Sequence, residues 1–381
     1  MNQIRDCLDL LRQLVAIPSQ SQNEEAHARF IATYLRDELG METILQHIEG
    51  KSYNVIGRWP KEDATRTLML GGHLDTVAPT SRWETDPYRL TQKGDRLCGL
   101  GAGDMKGGLA AQLTVLKSLR IQGIQLDAQI EFVGLADEER HSIGANAYVG
   151  KKLQEKTSAR ESFFLMAEPH FDNIVVGATG KVLLKLEIIG EPGHAATPEK
   201  GINAIDCMVQ LLEQVNKIWD DRYQAGNVGS HCCLMIQSDY PGYSLNIPER
   251  CVCLINKQLL AGERVEEFRK SLMQLYQDCV GRGKLSVTQE IPSYPSYQLP
   301  QNQPDLVALC TLLKEQFGRT PELRINQSVS DGNILYQYLG IPTVLFGPKG
   351  VEFHTEKEYL SRQSLEQYLQ ELETYLKVRY A

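Results

Sequence analysis

Read as apolar and polar positions, the chain changes period several times. Over residues 1–15 the leucines recur every three or four positions, with Arg5, Asp6, Asp9 and Arg12 between them. That spacing predicts an amphipathic helix and not a signal peptide. Asn23-Glu24-Glu25 opens a second helix, with Ala26, Phe30, Ile31, Tyr34 and Leu35 along one face. Strands are expected at 54–59 and 67–70, then a polar, turn-rich stretch at 83–97 and a glycine-rich loop at 99–103. A helix over 105–119, a strand at 129–136, a helix over 142–152 and a strand at 162–167 follow. Strand and helix in alternation predict a mostly parallel α/β sheet with helices on both faces.

The pattern shifts after Gly177-Ala-Thr-Gly180. Positions 181–189 alternate as a half-buried strand, and 202–219 reads as a helix. Strands at 232–236 and 251–255, a helix at 265–280 and a strand at 285–289 complete the order β-α-β-β-α-β, an α+β ferredoxin-like unit. Pro292, Pro295 and Pro300 mark a return linker. A helix over 304–317, a helix starting near Gly332, a strand at 342–346 and a C-terminal helix from Ser361 resume the first style. The expected domains are therefore 1–178 and 292–381, one catalytic domain in two parts, with 179–291 inserted.

Composition narrows the function classes. The chain has 381 residues, 42% of them apolar and 23% charged, enough for two domains and a large core. A net charge of -8 without a basic stripe argues against nucleic acid as a partner. The chain has no apolar run of about 18 residues, so no membrane span is expected. Nine cysteines without a CxxC pair read as buried thiols in a reducing cytoplasm.

Acidic and histidine residues fall at the ends of the expected sheet strands. His73 and Asp75 follow 67–70, Asp104 closes the glycine loop, and Asp137-Glu138-Glu139 ends 129–136. Glu168 follows 162–167, and His354 comes after 342–346. In open parallel sheets ligands bind beyond the carboxyl ends of the strands, so these residues are expected to build one site. Imidazoles and carboxylates without a thiolate pair suit zinc or another borderline divalent ion. Carboxylates crowded together raise one another's pKa, and two ions about 3.5–4 Å apart would neutralise them. Asp104 is the natural bridge, since a Gly-Ala-Gly turn brings its backbone close. Of Glu138 and Glu139, one is expected to bind metal while the other faces a water as general base. The glycine loop is not a phosphate loop: position 106 is Lys where GxGxxG needs glycine, and Gly107-Gly108-Leu109 lacks Gly-Lys-Ser/Thr.

The stretches Gly72-His-Leu-Asp-Thr76, Gly99-Leu-Gly-Ala-Gly-Asp-Met-Lys-Gly-Gly108, Asp137-Glu-Glu139 and His354-Thr-Glu-Lys-Glu358 resemble the co-catalytic zinc amidohydrolases. That family includes acetylornithine deacetylase, succinyl-diaminopimelate desuccinylase, aminoacylase and glutamate carboxypeptidase. The resemblance covers nearly the whole chain. It implies that His73, Asp104 and Glu168 hold one metal ion, and Asp104, Glu139 and His354 the other. It implies Glu138 as base, Asp75 as the group that orients His73, and a cis peptide at Asp104–Met105. It implies a zinc-peptidase catalytic domain with an inserted lid and dimerisation domain. His194, within Gly190-Glu-Pro-Gly-His-Ala-Ala-Thr-Pro198, matches a family histidine that steadies the tetrahedral oxyanion.

One departure stands out. The family's carboxylate-binding arginine, about ten residues after an Asn-x-Ile-Pro-like segment, falls here on Gln258. Asn246, Arg250 and Lys257 are the nearby candidates for substrate binding, with Lys181 a further cation for the carboxylate. Ser330 and Gly332 belong to a segment similar to one lining the substrate pocket. The expected activity is hydrolysis of a small N-acyl amino acid at an amide bond, through a zinc-bridged water with Glu138 as base. Two zinc ions, or cobalt or manganese in their place, and a homodimer are expected. The rival readings are a dipeptide or tripeptide exopeptidase and a non-catalytic metal-binding relative.

Overall fold

A computed structural model of the protein describes residues 3–155, 161–226, 229–239 and 245–381. Its contacts divide the chain into two compact units. The first comprises Met1–Ala178, Gln298–Asn326 and Ser330–Ala381; the second comprises Thr179–Tyr297 and Gln327–Val329. The second unit thus runs past the expected limit of 291 and takes in a short later segment as well.

In the first unit the sheet runs in the order Glu42–Glu49, Ser52–Trp59, Gln129–Leu135, Arg66–His73, Glu161–Met166, Thr343–Leu345, Asn173–Ala178. Glu322–Asn326 lies parallel beside Asn173–Ala178. The centre is parallel: Arg66–His73 pairs in parallel with both Gln129–Leu135 and Glu161–Met166, which in turn pairs in parallel with Thr343–Leu345. Central strands of this kind are covered on both faces, and 129–135 is accordingly buried from Ile130 to Leu135. The covering helices can be assigned from two positions on one strand. Leu35 of helix Glu25–Asp37 lies where a side chain on Gly57 would project, whereas the Asn54 side chain donates to the Gly144 carbonyl at the start of helix Ile143–Gln154. Positions 54 and 57 face opposite ways, so the two helices cover opposite faces.

The first helix spans Gln3–Ala16; Met1 and Asn2 of the expected stretch lie outside the described residues. Helix Gly107–Ile121 starts two residues later than the periodicity suggests. The preceding Ala102–Lys106 is a wider turn, closed by the Lys106 N–H on the Gly101 carbonyl at 2.9 Å, and it carries Asp104. Strands 42–49, 173–178 and 322–326 are additions that the periodicity does not predict.

In the second unit a four-stranded antiparallel sheet has the order His231–Ser238, Arg250–Leu259, Gly180–Ile189, Lys284–Tyr294. With helices Ala204–Gln224 and Val265–Cys279 this is the split βαβ arrangement. Leu184, Leu186, Ile188, Met208, Leu211, Cys253, Ile255, Phe268 and Tyr276 form its core.

Candidate metal centre and active site

His73 ends a central strand that the sequence prepares with two glycines. A side-chain carbon on Gly71 would stand 2.0 Å from the Val133 carbonyl oxygen, and one on Gly72 would stand 2.0 Å from the Met105 methyl. Only glycine lets strand and loop close so tightly. The His73 Nδ1 sits 3.0 Å from the backbone oxygen of Asp75, which makes Nδ1–H the donor there and turns Nε2 toward the acids. That Nε2 lies 3.0 Å from Asp104 Oδ1 and 3.9 Å from Glu168 Oε1.

Asp104 turns its other oxygen to a second histidine. His354 Nε2 is 3.5 Å from Asp104 Oδ2 and 2.8 Å from Glu139 Oε1. One carboxylate therefore stands between two imidazoles, each flanked by a further acid. The peptide bond Asp104–Met105 is cis. Asp137 and His354, at the loops that carry the acids and the second imidazole, both adopt left-handed backbone, with φ of 63°. For non-glycine residues such conformations cost about 1–3 kcal/mol and gather at functional sites.

Asp75 does something other than hold the imidazole with its carboxylate. Its Oδ1 is 3.7 Å from His73 Nδ1, and only its backbone oxygen makes that bond. The carboxylate instead accepts the backbone N–H groups of Glu138 at 3.0 Å and Glu139 at 3.2 Å. Asp75 thus meets His73 through its carbonyl and fixes the acidic turn through its side chain.

The electrostatics follow from this crowding. Burial works against a charged His73, but Asp104, Glu168 and Glu138 outweigh it and hold the imidazolium well above its usual range. Burial likewise opposes the Asp104 carboxylate, and hydrogen bonds from His354 and His73 overcome it and keep that carboxyl low. His354 is held up to about 10 by Asp104 and Glu139. Burial and the Asp104 charge push Glu168 up to about 8, and burial together with Glu168 lifts Glu138 well above the carboxylate range. A dense set of acids around two imidazoles is a site built for added positive charge. Ligand atoms of His73, Asp104 and Glu139 all lie within 4.8 Å of one another, and the imidazole and carboxylate donors suit a borderline divalent ion.

Lys257 is fully buried in the second unit, its ammonium donating to the carbonyls of Gly229 and Gln258, both at 2.6 Å. It shares the inward face of its strand with Cys251, Cys253, Ile255 and Leu259, an alternation already present in the sequence. Arg250 is paired with Glu187 at 2.5 Å and with Asp239 at 2.9 Å. Gln258 accepts from Ser230 and donates to Thr179 and to the Gln327 carbonyl. Ser330 and Gly332 are buried in the N-terminal cap of helix Asp331–Leu339, where the Ser330 hydroxyl takes the Gly332 N–H. His194 forms an isolated bridge with Asn246 and accepts the Ala196 N–H on Nδ1 at 3.1 Å.

Three acids near the centre are additions to the expected set. Glu358, 2% exposed, accepts the backbone N–H groups of Gly101, Gly103 and Asp104. Asp331 is wholly buried; burial and the Asp75 charge raise it to about 7 against the Ser142 hydroxyl. Glu24 is buried and is also raised to about 7, first by burial and then by the Asp75 charge. Glu358 and Asp331 sit within stretches whose neighbours the sequence singles out, which was the available signal.

With this geometry in place, the comparisons with known proteins bear on the whole chain. Residues 69–378 match the family model "Peptidase family M20/M25/M40". An acetylornithine deacetylase of Erwinia tasmaniensis is 26% identical over 371 residues, covering 93% of this chain and 92% of that protein. The solved structure of a tripeptidase from Staphylococcus aureus shares the fold at a TM-score of 0.79, with 23% identity and 98% of each chain covered. A Bacillus subtilis structure described as a dinuclear metal-binding peptidase of the M20 family matches at 0.74 with 14% identity, over 99% of this chain and 98% of that one. The chain belongs to peptidase family M20/M25/M40 and is a metal-dependent amidohydrolase or peptidase.

Proposed function

We propose that the protein hydrolyses the amide bond of a small N-acyl amino acid, of the deacetylase, desuccinylase or carboxypeptidase kind, with two zinc ions. The observation that carries this reading is Asp104, with one oxygen at His73 and the other toward His354. His73, Asp104 and Glu168 would hold one ion, and Asp104, Glu139 and His354 the other. When bound, the ions supply electrophilic assistance to a carbonyl oxygen and acidify water. Glu138 takes the proton of the attacking water and passes it to the leaving nitrogen, a role suited to a carboxyl whose pKa burial has lifted. Asp75 keeps Glu138 in place through its backbone N–H. His194 is assigned as donor to the oxyanion: its Nδ1 accepts a backbone N–H, so Nε2 carries the proton.

The deacetylase relative supports an acylated amino acid as substrate. Gln258 supports the exopeptidase alternative, because its amide is committed to Ser230, Thr179 and Gln327 and offers no charged fork for a carboxylate. A kinetic panel of acetyl-, succinyl- and aminoacyl-amino acids decides between them. Glu138→Ala is expected to keep its metal and lose a factor of about 10² or more in turnover. Wild-type turnover in that variant contradicts the assignment, and no turnover of any panel member by the wild type favours a non-catalytic relative.

We infer a homodimer formed through the edge strand His231–Ser238. Leu234, Met235 and Ile236 are 57%, 38% and 50% exposed, and no charged residue interrupts Cys232 to Gln237. An uncharged antiparallel edge is a template for pairing, and a second copy satisfies it about a two-fold axis. A reducing cytoplasm suits the thiols of Cys7, Cys207, Cys251 and Cys253, which are packed in the cores.

A further inference from the structure

We propose that Ser21, in the segment between the first two helices, is a positioning residue for the hydrolytic site. The proposal rests on the reading of Glu138 as base and Glu139 as metal ligand. Ser21 touches neither side chain. Its hydroxyl donates to Asp75 Oδ2 at 2.6 Å, and Asp75 is the group that accepts the backbone N–H groups of Glu138 and Glu139. Asp75 is 1% exposed, so its carboxylate depends on these protein donors for its hydrogen bonds and its orientation. Removing the hydroxyl leaves the carboxylate held only by the two backbone donors, without its shortest hydrogen bond.

The segment is built to present that hydroxyl. The Thr76 N–H donates to the Ser19 carbonyl at 2.8 Å and the Ser21 N–H to the Thr76 carbonyl at 3.2 Å, so residues 19–21 run beside Asp75 in parallel. The chain then turns at Gln22, whose φ is 69°. The turn is fastened twice: the Asn23 N–H reaches the Gln20 carbonyl at 2.8 Å, and the Gln22 N–H reaches Glu24 Oε1 at 2.7 Å. Glu24 is itself fully buried. On the other side, Arg140 donates to Gln22 Oε1 at 2.8 Å. The turn therefore grips the acidic pair from both flanks, through Asp75 before it and Arg140 after it. The turn itself, residues 19–24, lies ahead of residue 69, where the family match begins. Catalytic groups lose effect when their supports let them drift by fractions of an ångström.

The experiment compares wild type, Ser21→Ala and Ser21→Thr as metal-loaded protein. Amide hydrogen exchange is followed over residues 137–141, and kcat and KM are measured on the best substrate of the panel. Ser21→Ala is expected to exchange about 10-fold faster at Glu138 and Glu139 and to lose about 10-fold in kcat, with KM, metal content and Tm unchanged. Ser21→Thr, which restores the hydroxyl, is expected to recover both. Unchanged exchange in Ser21→Ala overturns the proposal. So does a loss of Tm or metal content that Ser21→Thr does not rescue, since that marks a purely structural role. Exchange needs no turnover, so failure of every substrate would count against the proposed activity while the exchange result still decides the role of Ser21.

Discussion

The carboxylate of Glu358 accepts the backbone N–H of Asp104 at 3.1 Å. The same Oε1 takes the Gly103 N–H at 2.9 Å, and Oε2 takes that of Gly101 at 3.1 Å. Three backbone donors thus converge on one buried acid and shape the loop that delivers Asp104, the proposed bridge between two ions. Such supports behind a metal ligand are typically worth about 10–100-fold in metal affinity. Glu358→Ala is expected to weaken divalent-ion binding by that factor in competition with a chelator. Wild-type affinity in the variant would show that the loop holds its shape unaided.

Lys257 links stability to pH in the second unit. Burial lowers its ammonium from 10.5 to about 8, against the attraction of Glu263. Below pH 8 folded and unfolded chains both carry the proton. Between about 8 and 10.5 the unfolded chain keeps it and the folded chain does not, so stability rises with pH across that window. The difference in unfolding midpoint between wild type and Lys257→Met is expected to be flat below pH 8 and to grow in favour of wild type above it. A flat difference through pH 10.5 would mean that the Phe268 ring, 4.5 Å away, and the two carbonyls keep the lysine charged.

The edge strand gives a prediction about assembly. Leu234→Lys places a charge at the middle of His231–Ser238, where it disfavours strand pairing between copies. Light scattering after gel filtration is expected to give twice the chain mass for wild type and a single chain mass for the variant. A wild-type monomer, or a variant that stays dimeric, removes this edge from the interface.

The candidate residues drew notice where they closely follow an apolar run, as His73 does after Leu68-Met-Leu-Gly-Gly72, whereas Asp104 closes a glycine loop and His354 follows a turn. The strands that escaped notice lack that contrast. Glu42–Glu49 is half exposed along its length and carries Gln46, His47 and Glu49, so its period is weak; pairing with Ser52–Trp59 is what makes it a strand. Lys257 was readable as an inward position from alternation with Cys253 and Ile255, but its charge argued for solvent. The carbonyls and rings that hold it come from Gly229, Trp219 and Phe268, which local pattern does not bring together. Asp75 shows the same limit. Its spacing from His73 suggests a side-chain contact, and only the folded chain reveals that the acidic turn claims the carboxylate first.

The central claim is that Asp104 is shared by two cations. Equilibrium dialysis against zinc, with the bound metal counted per chain, tests it most directly. Wild type is expected to bind two ions, and Asp104→Ala to lose tight binding of both, because both would draw on that one side chain. A single ion in wild type, or two retained by Asp104→Ala, would contradict it.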